Sequence, residues 1–184
     1  MLIPRIVPLD PLLRARLATW GAQEHGDPSG RFTWFDLTTA RVTGFQTVAA
    51  LPTGAAIPLP QQLDDEMSLL GYESLNPALK PGQEATVLTY WQATLLPLPP
   101  LKAFVHLTDI KGRLIAQSDG LNAPPQFWRT GDVVVQLHRF QVPADTPPGV
   151  YHWQVGMYNS QTLVRVPFKT GFDHLRLPDV EVQP

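Results

Sequence analysis

The stretch that decides the fold is residues 147–158, PPGVYHWQVGMY, a Pro-Pro-Gly turn followed by residues of alternating character. Side chains of a β-strand point alternately to its two faces, so every second residue shares a face. One face of this predicted strand carries large apolar side chains, namely Tyr151, Trp153, Val155 and Met157. We expect this face to line a core, with His152 and Gln154 pointing outward.

Similar apolar and β-branched runs recur from residue 66 onward, separated by turn residues. These runs are 67–72, 85–91, 103–108, 113–117, 133–142, 163–166 and 180–182. Their spacing is typical of antiparallel sandwiches, and the strands do not alternate with helices as a parallel sheet requires. The predicted fold class is therefore all-β, an antiparallel β-sandwich of immunoglobulin-like or jelly-roll type, formed by residues 64–184.

Residues 1–63 are predicted to form a proline-rich N-terminal extension that packs on the main domain, because about 60 residues make a marginal core alone. A small separate subdomain is the alternative. Within the extension, Asp10 suits a helix cap and Pro11 the first helical position, which predicts one short helix over residues 10–20. One face of this helix would carry Leu13, Leu17 and Trp20.

Two further strands are predicted in the extension, at residues 32–37 and 41–48. The short connection between them predicts a hairpin. Residues 51–60 contain three prolines and little charge, which predicts a linker or an extended arm lying on the main domain.

Composition excludes several classes of function. The 184 residues include 20 prolines and no cysteine, so long helices are disfavoured and disulfides, thiol catalysis and thiolate metal sites are excluded. The net charge is −2 and the 14 basic residues form no run, so we expect no nucleic-acid partner. No stretch approaches the ~20 apolar residues of a membrane span, and we expect no signal peptide.

No catalytic or metal site is predicted. The sequence lacks GxSxG and glycine-rich phosphate motifs, and the acidic run 64–66 is expected to be a solvated cluster. His106, His138 and His152 lie on predicted strands without the spacing of zinc ligands. Three aspartates at predicted turns are expected to shape those turns rather than hold calcium, and they are Asp109, Asp119 and Asp132. We therefore expect no enzyme activity, no metal and no other cofactor.

The candidate ligand-binding residues lie in a long proline-containing loop, residues 118–132. Exposed aromatic side chains can stack on the apolar faces of sugar rings, and Trp128 is the best-placed aromatic outside a strand. The candidate site comprises Trp128, Phe127, Arg129 and Asp132. The alternative for Trp128 is packing over an open end of the sandwich.

Three other aromatic residues are predicted to be structural. Trp91 and Trp153 lie on strands with apolar neighbours and should fill the core. Tyr151 follows a turn and enters a strand, where its hydroxyl should bond to upstream backbone as a tyrosine corner.

Residues 69–168 resemble a β-sandwich domain found at the C-terminal end of multi-spanning glycosyltransferase-like membrane proteins of green non-sulfur bacteria. The resemblance rests on an ordered set of strings: LLGY (69–72), LKPG (79–82), LTYWQ (88–92), FVHL (104–107), DIKGR (109–113), WRTGD (128–132), PPGVY (147–151) and VGMY (155–158). It implies a domain that faces outward from the membrane and carries no transfer chemistry. The present chain departs from that family, since none of its stretches is predicted to span a membrane.

Three functional hypotheses follow. The first is a non-catalytic, extracytoplasmic accessory domain that binds a glycan or a cell-envelope partner. The second is a protein–protein interaction module resembling proteinase-inhibitor-like sandwiches, which act through loops or sheet edges. The third, the least favoured, is an enzyme on a jelly-roll scaffold, which needs converging histidine and carboxylate side chains.

Overall fold

The computed structural model describes residues 2–4, 9–26, 32–36, 42–123, 125 and 128–184. Within these ranges the chain forms one helix, α1 (Pro11–Thr19), and strands that cover most of the rest. The strands are β1 (Leu2–Pro4), β2 (Gln23–Gly26), β3 (Phe32–Asp36), β4 (Val48–Ala50), β5 (Ala56–Pro58), β6 (Gln61–Leu63), β7 (Met67–Ser74), β8 (Glu84–Ala93), β9 (Leu101–Thr108), β10 (Leu114–Gly120), β11 (Val133–Gln141), β12 (Gly149–Asn159), β13 (Arg165–Val166), β14 (Leu175–Arg176) and β15 (Val180–Val182). The predicted all-β class with one short helix is confirmed.

Two large antiparallel sheets and one small sheet contain these strands. The eight-stranded sheet has the order β10-β9-β12-β14-β4-β5, and β13 and β15 also pair with β12. The four-stranded sheet has the order β11-β8-β7-β6, while β1, β3 and β2 form the small sheet. Side chains from both large sheets enter one core cluster, so the two sheets pack face to face as the predicted sandwich.

The core follows the alternation in the 147–158 stretch. The predicted inward residues of β12 are each 5% exposed or less: Tyr151, Trp153, Val155 and Met157. From the four-stranded sheet, the fully buried Trp91 stacks on Phe168 with ring centroids 6.5 Å apart. Because burying one large apolar side chain contributes about 1.5–3 kcal/mol, these inner faces account for much of the stability of the sandwich.

Helix α1 packs on the outer face of the four-stranded sheet. The Asp10 carboxylate accepts a hydrogen bond from the Leu12 N–H at 2.9 Å, as expected for a helix cap. Leu17 and Trp20 are buried, and the Trp20 ring meets Tyr90 of β8 edge-on at 5.9 Å. Leu13 is partly buried against the same cluster, so all three predicted residues belong to the apolar face of this helix.

A buried polar contact also fixes the helix to the sheet. The Glu73 side chain, from β7, accepts hydrogen bonds from the Arg16 guanidinium and the Tyr90 hydroxyl. Glu73 is 7% exposed, so its carboxylate depends on these two donors to offset the cost of burial.

The predicted hairpin of residues 32–37 with 41–48 is wrong. β3 pairs with β1 and β2, and residues 42–45 form no strand. Residues 37–41 lie outside the described residues. An alternating segment predicts a strand but does not identify the strand with which it pairs. Pairing with the next segment along the chain therefore does not follow from the pattern.

The proline-rich arm also differs from the expected linker or overlying arm. β4 and β5 pair with each other, and β4 pairs with β14, so these short strands extend the eight-stranded sheet. β6 then joins the four-stranded sheet by pairing with β7. Proline is tolerated here because β5 is an edge strand, where an absent N–H breaks no ladder bond.

Candidate functional site

Trp128, the central residue of the predicted loop site, is half-buried and packs against the main core. Its backbone N–H donates to the Pro125 carbonyl at 3.0 Å. The Asp132 carboxylate accepts from the Arg129 N–H at 2.8 Å, so it shapes the turn. Phe127 lies outside the described residues. Part of the Trp128 surface is therefore used for packing, while Arg129 is exposed.

The three aromatics predicted as structural make internal contacts. Trp91 and Trp153 are at most 1% exposed, and the Trp91 indole N–H donates to the Thr89 hydroxyl at 2.8 Å. The Tyr151 hydroxyl donates to the Pro147 carbonyl, four residues upstream, at 2.7 Å. This bond has the pattern of a tyrosine corner.

A polar cluster that sequence reasoning did not assemble lies on the outer face of the eight-stranded sheet. It is built around the buried ring of Phe104 on β9, which lies opposite Gly156 of β12. A Cβ on Gly156 would lie 2.7 Å from the Phe104 ring, so the glycine provides the space that the ring occupies. We call the polar side chains around this ring the His106 cluster, and they are His106, Asp119, Tyr158, Arg165, Asp173 and His174.

Asp119, from β10, is held by donors from two other strands. Its Oδ1 lies 3.2 Å from the His106 Nε2, and its Oδ2 accepts from the Tyr158 hydroxyl at 3.2 Å. An ionised carboxylate only accepts hydrogen bonds, so the His106 proton is on Nε2. The other ring nitrogen, Nδ1, then accepts from the Arg165 guanidinium at 3.3 Å.

Arg165, from β13, connects the two halves of the cluster. Its guanidinium lies 4.6 Å above the centroid of the Phe104 ring, in a cation–π arrangement, and 3.4 Å from an Asp173 oxygen. Asp173 is also bonded to His174 Nδ1 at 2.6 Å. Every charged group in the cluster thus has a fixed partner before any ligand arrives.

The pKa shifts fit this geometry. Burial is the main cause that lowers the pKa of His106, and the Arg165 charge adds to it against the opposing Asp119, so the imidazole is neutral at neutral pH. Burial opposes ionisation of Asp173, but the His174 hydrogen bond and the Arg165 charge lower its pKa overall. Because both ring nitrogens of His106 are engaged, His106 is poorly placed to act as a general base.

A second polar group, the His152 cluster, lies farther along β12 and comprises His152, Arg176 and Asp179. An Asp179 oxygen lies 2.7 Å from the His152 Nδ1 and 2.9 Å from the Arg176 guanidinium. Burial opposes ionisation of Asp179, but these two hydrogen bonds lower its pKa overall. Asp179 remains exposed, so its carboxylate can still accept hydrogen bonds from a ligand.

A cleft of about 270 Å³ opens beside Asp179, between the two large sheets. The exposed Pro77 and Pro178 contribute apolar surface to it, and Ser74 and Asn76 contribute polar groups. Trp153 and Tyr72 also border it but are each only 1% exposed. The Tyr72 hydroxyl is already used, because it donates to the Val48 carbonyl at 2.8 Å. The His152 cluster and this cleft therefore form a continuous surface through Asp179.

His138, the remaining histidine predicted on a strand, bridges the two sheets internally. It is fully buried, with Nδ1 3.1 Å from the Ser118 carbonyl and Nε2 3.0 Å from the Thr89 hydroxyl. In the described parts of the chain, no three histidine or carboxylate side chains are grouped as metal ligands. None of the described helical residues forms a helix with the length and apolar character to cross a membrane.

No protein-family model matches the chain, and no curated protein matches it significantly. Among solved structures, the C-terminal domain of Wzt is similar at 13% identity and a TM-score of 0.44, over 67% of this chain and 77% of that one. A CARDB domain from Pyrococcus furiosus, solved in complex with di-metal ions, is similar at 12% identity and a TM-score of 0.40. That match covers 66% of this chain and 92% of the other.

Proposed function

We propose that this protein is a non-catalytic accessory domain that binds a glycan on the outer face of the eight-stranded sheet, at the His106 cluster. The observation that carries the proposal is the set of planar polar side chains held in place around Asp119 while still in contact with solvent. The Asp119 side chain is 22% exposed and that of Asp173 is 50% exposed, so both retain lone pairs for ligand hydroxyls.

Pre-organisation makes such a surface effective. Immobilising a long side chain on binding costs about 0.5–1.5 kcal/mol, and here Arg165 is already held by Phe104, His106 and Asp173. The partly exposed Tyr158 ring adds an apolar surface on which the C–H face of a sugar can lie. Hydroxyl groups, which both donate and accept, suit the mixture of carboxylate, guanidinium and imidazole.

The absence of catalysis is also part of the proposal. His106 and Asp119 form a hydrogen-bonded pair, but the pair contacts Tyr158 and Arg165 rather than an adjacent nucleophile. A general base needs a free lone pair within reach of the proton that it removes. The His106 lone pair is occupied by Arg165, which favours binding over reaction.

Binding of a protein by strand addition is the competing proposal, and the sheet edges argue against it. On one side, β10 and β11 lie together. The β11 side chain of His138 bonds the Ser118 carbonyl of β10, and Gln136 accepts from the N–H of Asn122, just beyond β10, at 2.9 Å. On the other side, the edge strands β5 and β6 have only three residues each. Short or covered edges are the usual protection against strand addition.

A glycan array probed with the full chain tests the proposal. We expect binding that falls about 10-fold or more in Asp119→Asn and Tyr158→Phe, because each change removes a hydrogen bond within the cluster. Asp65→Asn is the matched control, since Asp65 is an exposed aspartate that pairs with Lys169 elsewhere. Trp128→Ala distinguishes the predicted loop site, and loss of binding in that variant alone would move the site to the 118–132 loop. No binding to any glycan would refute the proposal.

A further inference from the structure

The two polar clusters lie along one strand and on one face. Tyr158 of the first cluster and His152 of the second are six positions apart on β12, which corresponds to roughly 20 Å at ~3.4 Å per residue. Between them lies Gln154, whose Cα partner on β9 is His106. Residues with even numbers on this strand share the outer face, so the clusters form a continuous polar strip.

The strip carries no net charge. Its cations are Arg165, Arg176 and Lys102, the last exposed on β9 opposite Tyr158, and its anions are Asp119, Asp173 and Asp179. Both arginines are paired with carboxylates, at 3.4 Å to Asp173 and 2.9 Å to Asp179. Because these ion pairs leave no surplus positive charge on the strip, an anionic sulfate, phosphate or uronate gains no net attraction while its own charge loses solvation. A neutral hydroxyl meets no such penalty.

The cleft lies at the Asp179 end of the strip. Its volume of about 270 Å³ is slightly below the ~300–1,000 Å³ typical of pockets for drug-sized ligands. This volume suits a single monosaccharide unit. Its lining combines the exposed Pro77 and Pro178 with the polar groups of Ser74, Asn76 and Asp179. Apolar surface with a few convergent polar groups is the usual lining of a small-molecule site.

We propose that the ligand of the outer face is an uncharged oligosaccharide that lies along β12 from Tyr158 to Asp179, with one end unit in the cleft. This inference rests on the proposed function and narrows it in two ways. It specifies the ligand charge, and it specifies a length that reaches both clusters rather than a single ring.

Titration calorimetry with defined oligosaccharides tests the inference. The probes are neutral gluco-, galacto- and manno-oligosaccharides of two, four and six units, with oligouronides of the same lengths. We expect binding of a neutral series, an affinity that rises about 10-fold or more from two to six units, and little change between low and high salt. We also expect Asp119→Asn and Asp179→Asn each to weaken binding of the six-unit ligand about 10-fold, with Asp65→Asn unchanged.

The outcomes separate this inference from the proposed function. Binding confined to oligouronides, equal affinity at all lengths, or an effect of Asp119→Asn without one of Asp179→Asn would overturn the inference and leave the proposed function standing. No binding in any series would overturn the inference, and it would overturn the proposed function as well only if the glycan array also shows no binding. An NMR titration of the unmodified protein gives an independent measurement, because a ligand that spans the strip shifts the ring signals of both Tyr158 and His152, which lie six positions apart on β12.

Discussion

His138 makes the stability of the sandwich depend on pH. The Ser118 carbonyl can only accept, so the proton of this buried imidazole is on Nδ1. Nε2 then accepts from the Thr89 hydroxyl, which itself accepts from the Trp91 indole N–H. A second proton, on Nε2, would break this chain of hydrogen bonds in the core. Burial lowers the pKa of His138 from 6.5 to about 4.

The size of this pH effect follows from the linkage between proton binding and folding. Between pH 6.5 and about 4 the unfolded chain binds a proton at this position that the folded chain does not, so the free energy of unfolding falls as the pH falls. At about 1.4 kcal/mol per pKa unit, the lowered pKa of His138 corresponds to about 3 kcal/mol of unfolding free energy. This contribution is fully present above pH 6.5 and is lost when the pH reaches about 4.

Urea denaturation of the wild type and His138→Gln at pH 7.5 and pH 4 checks the prediction. The glutamine does not titrate, and acidic residues contribute equally to both proteins. We therefore expect the free energy of unfolding to fall by about 3 kcal/mol more in the wild type than in the variant between pH 7.5 and pH 4. Equal losses in the two proteins, or an imidazole pKa near 6.5 by NMR in the folded protein, would refute the reasoning.

Two further predictions concern packing and burial. Gly156→Ala places a Cβ 2.7 Å from a carbon of the Phe104 ring and should destabilise the fold by about 1–3 kcal/mol. Gly120→Ala is its control and should change stability little, because the nearest atom to the new Cβ would be 3.4 Å away. Thermal unfolding distinguishes the two variants, and equal melting temperatures would contradict the packing argument. Glu73→Gln should lower the free energy of unfolding, measured by urea denaturation, by about 2 kcal/mol, because glutamine matches the Arg16 and Tyr90 donors less well than a carboxylate does. Glu24→Gln, in an exposed ion pair, is its control, and equal effects would count against the burial argument.

The sequence was informative where the controlling interactions are local. The alternation through residues 151–157 predicted the inward face of β12, because a period of two is a property of the strand itself. The cap at Asp10 and the face containing Leu17 and Trp20 similarly predicted α1. The division into residues 1–63 and 64–184 stays a prediction.

The candidate site was not predictable in the same way, because its members come from different strands. His106, Asp119 and Tyr158 lie on β9, β10 and β12, and only the strand order and register bring them together. One signal was available. The alternation of Ala103, Val105 and Leu107 places Phe104 and His106 together on the outward face, and a large aromatic residue at an outward position is the signal that marks that face. Trp128 is predicted from its position in a loop, and that criterion takes no account of sheet faces.

The register that builds the core also builds the candidate site. On β9 and β12 the inward residues pair as Val105 with Val155, and the outward residues pair as Phe104 with Gly156. A slip of one residue would exchange the two faces, which would place valines in solvent and His106 in the core. The outer face is therefore held in place by the hydrophobic effect acting on the opposite side of the same strands. Substitutions confined to outward polar groups should therefore change the proposed binding while the fold is retained.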